Sequence, residues 1–464
     1  MHPSTPLAAA LSLALASQFA AAATTAFSSF TPLPSSVPAG SLPETSPLLL
    51  SNPAFSQLSL ADRTTQLANG QFNSGNWDMI DTNRTGPDRG RYLFSVFETG
   101  QAGIQRYDRQ TGSMITMWAS PAVSPSLNSA AAFDASRWTP FGTYLTAEES
   151  WGSQPQPYGR LFELTNPTQA NGLGNLVHQN AVARVSHEGL AFDKTNNMYY
   201  IDELNGGSIY RYSSATPSHG ASYFSGGVNS VLRVGDGQTP NATGAFSWVD
   251  FTDAAGVGLA GAVTIVDPNG VVSVDGRATT NVATYKGTDF QRPEDLEIQT
   301  LGNGDQILYV ATTTTNEVYS MNLATGMMNT FVSRSTLDLA TGLAVGTELT
   351  SPDNLAIDAD GNIYIIEDQP GGRADIWFAN DADRDGVAES IGRWASLSTV
   401  GAEPTGLYFD VTNPNVAFLN VQHPSSGVDR MMQITAAVPE PETYAMMLAG
   451  LGLLGAIARR RRQR

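Results

Sequence analysis

The chain has 464 residues, no cysteine and a formal net charge of −18 at pH 7. The absence of cysteine excludes a disulfide framework and a zinc–thiolate site. The acidic balance excludes nucleic-acid binding through a basic face and favours a cation-rich site, for which calcium is the natural partner. Length alone allows two or three domains, but large β folds run as one unit, so we predict one domain.

The N-terminal region predicts export. An apolar run at 7–23 ends in small residues suited to signal peptidase, so we predict a signal peptide at 1–23. A Ser- and Pro-rich stretch follows, and we predict a linker at 24–57, with an irregular entry to the fold as the alternative. The globular region is then predicted at 58–437.

A repeated pattern organises this globular region: an apolar-x-apolar-Asp core, a turn and an apolar triplet. The copies are GLAFDKTNNMYYIDE from Gly189, the degenerate DLEIQTLGNGDQILYVATT from Asp295, NLAIDADGNIYIIED from Asn354 and GLYFDVTNPNVAFLN from Gly406. Short hairpin-linked strands that cannot bury their own faces are stabilised by packing radially. We therefore predict an all-β fold, a six-bladed β-propeller with irregular insertions; a β-sandwich is the alternative.

Acidic residues precede the repeated strands or follow them. Glu188, Glu294 and Asp353 each lie just before a predicted inner strand, and the pairs Glu148-Glu149 and Glu367-Asp368 end strand-like segments. Residues that enter the innermost strands of a propeller face its central channel. Glu188 and Glu294 are therefore predicted to converge on a cation.

In their order, these segments resemble the PhoX family of exported alkaline phosphatases. The resemblance runs from about residue 138 to 424 and rests on GTYLTAEESW, SHEGLAFD, YIDELNGGSIYRY, RPEDLEI, SPDNLAIDADGNIYIIED, EPTGLYFD and QHP. It implies a propeller with calcium and iron in its channel that hydrolyses phosphate esters.

The resemblance also implies roles for individual residues. Glu188 and Glu294 would be metal-bridging carboxylates, Arg292 would be the catalytic residue that binds phosphoryl oxygens, and Glu148 or Glu149 would lie in the metal shell. Clustered hard cations polarise a phosphate ester, and a guanidinium offers bidentate bonds to its oxygens. Further candidate ligands are Asp353 and Glu367.

One position departs from the family pattern. The family carries an iron-binding cysteine before the paired glutamates, and this chain has Ala147 there, which puts iron in doubt and leaves calcium. The open alternatives are a phosphatase with altered metals, a different phosphoesterase, and a non-catalytic calcium-binding propeller that binds a partner at the cell surface or in the extracellular matrix. A lactonase-like hydrolase would need no arginine opposite its carboxylates, so Arg292 favours phosphate.

A separate calcium signal is the segment Asp381-Ala382-Asp383-Arg384-Asp385-Gly386. Alternate aspartates followed by glycine at position six are typical of an EF-hand loop, although position twelve is Gly392 instead of glutamate and Glu389 occupies position nine. The segment predicts bound calcium at Asp381, Asp383 and Asp385; an acidic surface turn is the alternative.

The C-terminal region at 438–464 has a distinct character. The triplet Pro439-Glu440-Pro441, an apolar stretch and a terminal arginine cluster resemble the PEP-CTERM sorting signal. The resemblance implies transient anchoring in the inner membrane of a Gram-negative bacterium by a hydrophobic helix, removal by an exosortase, and delivery to the cell surface or extracellular matrix. A plain tail anchor is the alternative.

Overall fold

The computed structural model describes residues 25–121, 129–149, 158–170, 173–267, 270–368 and 373–437. The predicted signal peptide and C-terminal tail lie outside these ranges. None of the helices within them has the length and apolar character needed to span a bilayer.

The regular structure in these ranges is nearly all β. The helices are α1 (Arg63–Ala68), α2 (Gly276–Thr280) and three 3-10 turns at Gly220–Ser222, Ala283–Tyr285 and Gly346–Glu348. The strands are β1 (Leu48–Leu50), β2 (Phe55–Asp62), β3 (Trp77–Thr82), β4 (Tyr92–Phe97), β5 (Gly103–Asp108), β6 (Ser113–Ala119), β7 (Arg137–Trp138), β8 (Tyr144–Ala147), β9 (Leu161–Leu164), β10 (Leu176–His178), β11 (Leu190–Phe192), β12 (Met198–Ile201), β13 (Asn205–Gly207), β14 (Ile209–Ser214), β15 (Gly227–Val234), β16 (Gly244–Asp250), β17 (Thr264–Val266), β18 (Val272–Val274), β19 (Phe290–Gln291), β20 (Pro293–Thr300), β21 (Gln306–Thr312), β22 (Glu317–Asn322), β23 (Met327–Val332), β24 (Leu337–Asp338), β25 (Pro352–Ile357), β26 (Ile363–Glu367), β27 (Ala374–Asn380), β28 (Ser390–Leu397), β29 (Glu403–Phe409), β30 (Val416–Gln422) and β31 (Arg430–Ala436).

Most of these strands form antiparallel groups of four, while β13 pairs with β19, β17 with β18, and β24 in parallel with β28. Strands β3 to β6, β7 to β10 and β25 to β28 are such groups, and β2 completes the group of β29, β30 and β31. In a nine-stranded sheet, β16 connects two such groups: one consists of β11, β12, β14 and β15, and the other consists of β20, β21, β22 and β23. First strands of neighbouring groups contact one another, as β20 contacts β25, β25 contacts β29, and β29 contacts β3. The predicted all-β propeller class is confirmed, while the number of blades stays a prediction because the nine-stranded sheet spans two groups.

Each sequence repeat supplies the first two strands of a group. The copies correspond to β11 and β12, β20 and β21, β25 and β26, and β29 and β30. In three of them the repeated aspartate forms the connecting turn: Oδ1 of Asp193, Asp358 and Asp410 accepts backbone N–H groups two residues ahead at 2.8, 2.9 and 2.8 Å. This aspartate therefore shapes a turn, as Asx residues commonly do.

Side chains also join one first strand to the next. Asp295 Oδ2 accepts the backbone N–H of Leu355 at 3.0 Å, and Asn354 Oδ1 accepts that of Gly406 at 2.8 Å. Gly406 has a φ of 60°, and a Cβ there would lie 2.5 Å from the backbone nitrogen of Ile80. The first strands thus approach one another closely around the axis. This close approach fixes the positions of the residues at which these strands begin.

The predicted linker at 24–57 is packed onto the propeller. Strand β1 pairs with β28, and β2 begins at Phe55, inside the predicted linker, and pairs with β31. Phe27 is fully buried, with ring centroids 5.4 Å from Phe55 and Phe409 and 5.6 Å from Trp394. Composition does not predict this packing, because Ser and Pro are frequent both in linkers and in irregular segments that specific contacts hold in place.

Phe27→Ala should destabilise the protein by about 3–5 kcal/mol, because it leaves a cavity among three aromatic rings. The measurement is the denaturant midpoint of unfolding, compared with that of Leu58→Ala. Leu58 is 57% exposed, so its truncation should change the midpoint little. Equal midpoints for the two variants would mean that the segment at 25–47 behaves as a linker after all.

Candidate active site

The antiparallel meander brings two sets of residues to one rim of the propeller, the rim at which first strands begin and second strands end. The first set lies at or just before the first strands and comprises Asp78, Asp134, Glu188, Glu294, Asp353 and Glu403. The second set follows the second strands and comprises Glu98, Glu149, Glu203, Thr313, Asp368 and His423. Together they form the axial cluster.

Three members of the axial cluster meet most closely. Carboxylate oxygens of Glu188, Glu294 and Asp353 all lie within 4.8 Å of one another. Glu188 and Glu294 are buried, and Asp353 is half-buried. Glu188 is within hydrogen-bond reach of both other carboxylates. The convergence predicted for Glu188 and Glu294 is present, and Asp353 joins them.

Arg292 is the cation beside this triad. Its Nε lies 2.9 Å from Glu294 Oε1, its Nη2 lies 2.8 Å from Glu203 Oε1, and its Nη1 lies 3.9 Å from Asp368 Oδ2. The Arg292 backbone has a φ of 59° and is held by bonds to the Leu204 carbonyl and the Thr313 amide, both at 3.1 Å. Its side chain is 29% exposed, so the fixed guanidinium remains accessible from solvent.

A second part of the axial cluster lies around Asp78. Thr405 Oγ1 donates to Asp78 Oδ1 at 2.5 Å, and Gln422 Nε2 donates to Asp78 Oδ2 at 3.1 Å and to Glu98 Oε2 at 2.6 Å. His423 Nε2 lies 2.8 Å from Glu403 Oε1. Neutral hydroxyl and amide groups therefore donate to the carboxylates here, and His423 pairs with Glu403.

Electrostatics in the axial cluster oppose ionisation. Burial raises the pKa of Glu294 from 4.5 to about 7 and that of Asp78 from 3.8 to about 6. Burial foremost, with added contributions from neighbouring carboxylates, raises the pKa values of seven further members well above their ordinary range; these are Glu98, Asp134, Glu149, Glu188, Glu203, Asp353 and Glu403. Protons or cations must neutralise this charge in the folded state.

The residues present fit hard cations. Four buried oxygens of the axial cluster, Asp134 Oδ1, Glu203 Oε2, Glu294 Oε2 and Glu403 Oε2, have no hydrogen-bond partner among the described residues. Calcium takes six to eight oxygen ligands, and carboxylates are its usual ones. The same set does not supply a thiolate for iron, because the chain has no cysteine and Ala147 packs in the apolar cluster that contains Leu145 and Leu161.

Two predicted ligands face away from the axial cluster. Glu148 is fully buried, and its two oxygens pair with the Arg160 guanidinium at 2.6 and 2.8 Å. Glu367 Oε1 accepts the Trp377 indole N–H at 2.9 Å and the Thr350 amide at 2.8 Å. Successive side chains on a strand point to opposite sides, so Glu148 and Glu367 turn into the strand groups while the next residues, Glu149 and Asp368, reach the rim.

His187 also lies outside the axial cluster. It is fully buried, with its ring centroid 5.3 Å from that of Tyr200, and burial lowers its pKa to about 3. It is therefore a neutral core side chain. The aspartates Asp381, Asp383 and Asp385 form a separate group of oxygens within 4.8 Å of one another.

The ligands predicted from the sequence do not include several members of the axial cluster: Asp78, Glu98, Asp134, Glu203, Asp368, Glu403 and His423. Asp202-Glu203 is an acidic pair at a strand end, as Glu148-Glu149 is, so strand alternation could have assigned Glu203 to the axial cluster. The structure agrees with this assignment, because Asp202 binds Arg277 at 2.5 Å as Glu148 binds Arg160. Asp78, Glu98 and Asp134 lie at or near the ends of strands outside the recognised repeats, so the sequence pattern gives no strand register for them.

Two sequence families match the chain. The profile described as alkaline phosphatase PhoX matches residues 135–425, more than half of the sequence. The chain belongs to the PhoX alkaline phosphatase family. The PEP-CTERM protein-sorting motif matches residues 437–462. Both resemblances seen in the sequence are confirmed, and a comparison with curated protein sequences finds no match.

Solved structures with similar folds have low identity to this PhoX family member. A luciferin-regenerating enzyme is 8% identical with a TM-score of 0.41, covering 78% of this chain and 92% of its own. The RRP9 WD40 repeats are 8% identical with a TM-score of 0.41, covering 84% and 100%. A calcium-binding protein, regucalcin from Agrobacterium tumefaciens, is 11% identical with a TM-score of 0.39, covering 80% and 95%.

The raised carboxyl pKa values predict how stability depends on pH without metal. Between pH 4.5 and about 7 the folded protein holds the Glu294 proton and the unfolded chain has lost it, so this contribution to stability is full below pH 4.5 and is lost as pH rises through 7. In EDTA the melting temperature should therefore fall from pH 5 to pH 8, and calcium should reduce the fall.

Glu294→Gln tests the cause, because it removes the titrating group and should make the fall at least about 2 °C smaller. Glu44→Gln, at a partly exposed site, should keep the wild-type profile. A melting temperature in EDTA that stays constant or rises over this pH range would contradict the assignment.

Proposed function

We propose that this exported PhoX-family protein is a calcium-dependent phosphoesterase that hydrolyses phosphate esters at the axial cluster. Family membership and the sorting motif support an exported phosphatase. The observation that carries the finer proposal is the position of Arg292, whose Nε lies 2.9 Å from an oxygen of the Glu188, Glu294 and Asp353 triad. Carboxylates for cations and a guanidinium for phosphoryl oxygens thus share one site.

Glu188, Glu294 and Asp353 would hold calcium, with Glu149 and Glu203 as neighbouring ligands. Bound calcium would neutralise the phosphate oxygens and polarise the ester. The protein's own contribution is rigidity: Thr313 donates a hydrogen bond to Glu294, and the Thr313 amide also holds the Arg292 backbone. The proposed metal ligand Glu294 and the guanidinium of Arg292 are therefore both positioned by Thr313.

Arg292 would bind the phosphoryl group and stabilise the charge that develops on its oxygens. The carboxylates of Glu203 and Glu294 fix the guanidinium plane before substrate arrives, so little reorganisation accompanies the reaction. Neighbouring carboxylates, Glu294 foremost, raise the Arg292 pKa above its already high ordinary value, which keeps it protonated. A planar fork of N–H donors suits two oxygens of one phosphate.

The location follows from the tail. We propose that signal peptidase removes residues 1–23, that the C-terminal helix anchors the protein transiently in the inner membrane, and that an exosortase then releases it to the cell surface or extracellular matrix. The sorting motif at 437–462 supports export and the exosortase step of this route.

A non-catalytic calcium-binding propeller is the second candidate. Ala147 favours it, since the position that supplies the family's thiolate has an apolar side chain in an apolar cluster. Calcium would then stabilise the axis, and the rim would bind a partner. Purified protein with bound calcium but no turnover of any aryl phosphate, across metals and pH, would favour this candidate.

Arg292→Lys should lower turnover of an aryl phosphate in calcium by about two to three orders of magnitude, because it keeps the charge and loses the planar fork. The measurement is kcat at saturating substrate, together with bound calcium per chain, which should stay at the wild-type value.

Arg233→Lys is the matched control. Arg233 is a partly buried arginine that donates at 2.7 Å to a backbone carbonyl, Lys286 O, and has no place in the axial cluster. It should keep wild-type turnover. An active Arg292→Lys enzyme with unchanged kcat would show that this guanidinium does not bind the reacting phosphate.

A further inference from the structure

The loop between β27 and β28 lies at the end of its strand group opposite the axial cluster. Asp353 at the start of β25 and Asp368 after β26 mark the rim of the site, and β27 runs antiparallel to β26, away from that rim. The 381–389 loop therefore belongs to the far rim, and the cation chemistry of the axial cluster does not include it.

The loop gathers three carboxylates around one point. Oxygens of Asp381, Asp383 and Asp385 lie within 4.8 Å of one another. Arg384 and Gly386 have positive φ values of 60° and 86°, which give the sharp turn that brings alternate aspartates to one side. Asp383 and Asp385 are exposed, so solvent cations can reach the loop.

Asp381 supplies an independent indication of a ligand. Its side chain is buried, with the residue only 4% exposed, and its Oδ1 has no hydrogen-bond partner among the described residues. Its other oxygen accepts only the Gly386 amide, at 3.2 Å. A buried carboxylate oxygen without a partner is costly, and burial followed by the charge of Asp385 raises the pKa of this group.

We propose that Asp381, Asp383 and Asp385 bind a structural calcium ion that is separate from the proposed active site. Position seven of such a loop contributes a backbone oxygen, here from Val387. Glu389 at position nine accepts the Ala382 amide at 3.0 Å and closes the loop on itself. Magnesium fits less well, because it demands a regular octahedron and gives up water reluctantly.

The ion would stabilise a contact between strand groups. Ser320 on β22, in the preceding group, donates to the Gly386 carbonyl at 2.5 Å. Arg384 donates to the Gly361 carbonyl at 2.7 Å and to Asn362 Oδ1 at 3.0 Å, both in the turn between β25 and β26. A cation that holds the turn at 381–386 therefore fixes three segments of the far rim.

The test compares Asp385→Ala with Asp253→Ala in the full chain, stripped with EDTA and dialysed against calcium. Both aspartates are exposed turn residues whose Oδ1 accepts the amide two residues ahead, at 2.8 and 2.9 Å. We expect Asp385→Ala to bind one calcium fewer per chain than wild type and to gain less in melting temperature from added calcium. Asp253→Ala should match wild type.

Turnover separates this site from the axial cluster. Asp385→Ala at saturating calcium should keep wild-type kcat for an aryl phosphate if the protein is a phosphatase, whereas Asp353→Asn should lose calcium from the axis. The calcium count answers the question even without enzyme activity. If Asp385→Ala and wild type bind equal calcium and respond equally to it, or if Asp385→Ala is destabilised equally in calcium and in EDTA, the loop is an acidic turn and the proposal is overturned.

Discussion

Confined negative charge dominates this molecule. Ten carboxylates of the axial cluster, in the first and second sets defined above, surround one arginine and one histidine within the described residues. Burial, and after it the charge of Asp353, raises the pKa of Glu294 to about 7, so near neutral pH the cluster must either retain protons or bind cations. The close approach of first strands, through Asp295 and Asn354 on neighbouring backbones, keeps the carboxylates from moving apart. The folded scaffold thus holds these carboxylates close together at an electrostatic cost. A divalent cation bound there would relieve this cost and would thereby stabilise the folded state.

The alternation of side chains along the strands determines which acidic residues belong to the axial cluster. In Glu148-Glu149, Asp202-Glu203 and Glu367-Asp368 the first residue turns into the strand groups and finds a donor, and the second reaches the axis. Glu148 with Arg160 is a buried pair with both oxygens bonded, so it has a structural role, whereas Glu149 lies beside the carboxylates of Glu203 and Glu98. One strand end therefore provides a structural anchor and a candidate ligand from adjacent positions.

The repeats explain how much of this was predictable. Glu188, Glu294 and Asp353 were found because each precedes a recognisable copy of the same strand pattern, so one register applied to all three. Glu148 and Glu367 were chosen because an acidic pair marks a strand end, but the choice within the pair depends on where the strand ends to a single residue, and a sequence pattern does not fix that boundary. Asp78, Glu98 and Asp134 belong to strands with no recognisable repeat. The composition of the segment around Phe27 predicts a linker, because the burial of Phe27 depends on rings of β28 and β29 that are distant in sequence.

Ala147 bears on what kind of cation the axis selects. With a thiolate, a site combines soft and hard ligands and favours transition metals; without one, every ligand of the axial cluster except His423 is an oxygen. Oxygen ligands at variable distance suit calcium, whose coordination is flexible, better than ions that require a fixed geometry. Because burial raises the pKa of Glu294 to about 7, calcium that binds there would displace a proton, and its affinity should rise with pH. An alkaline environment would then favour the loaded state for a reason that lies in the burial of Glu294 and its neighbours, whether the loaded axis hydrolyses phosphate esters or only stabilises the propeller.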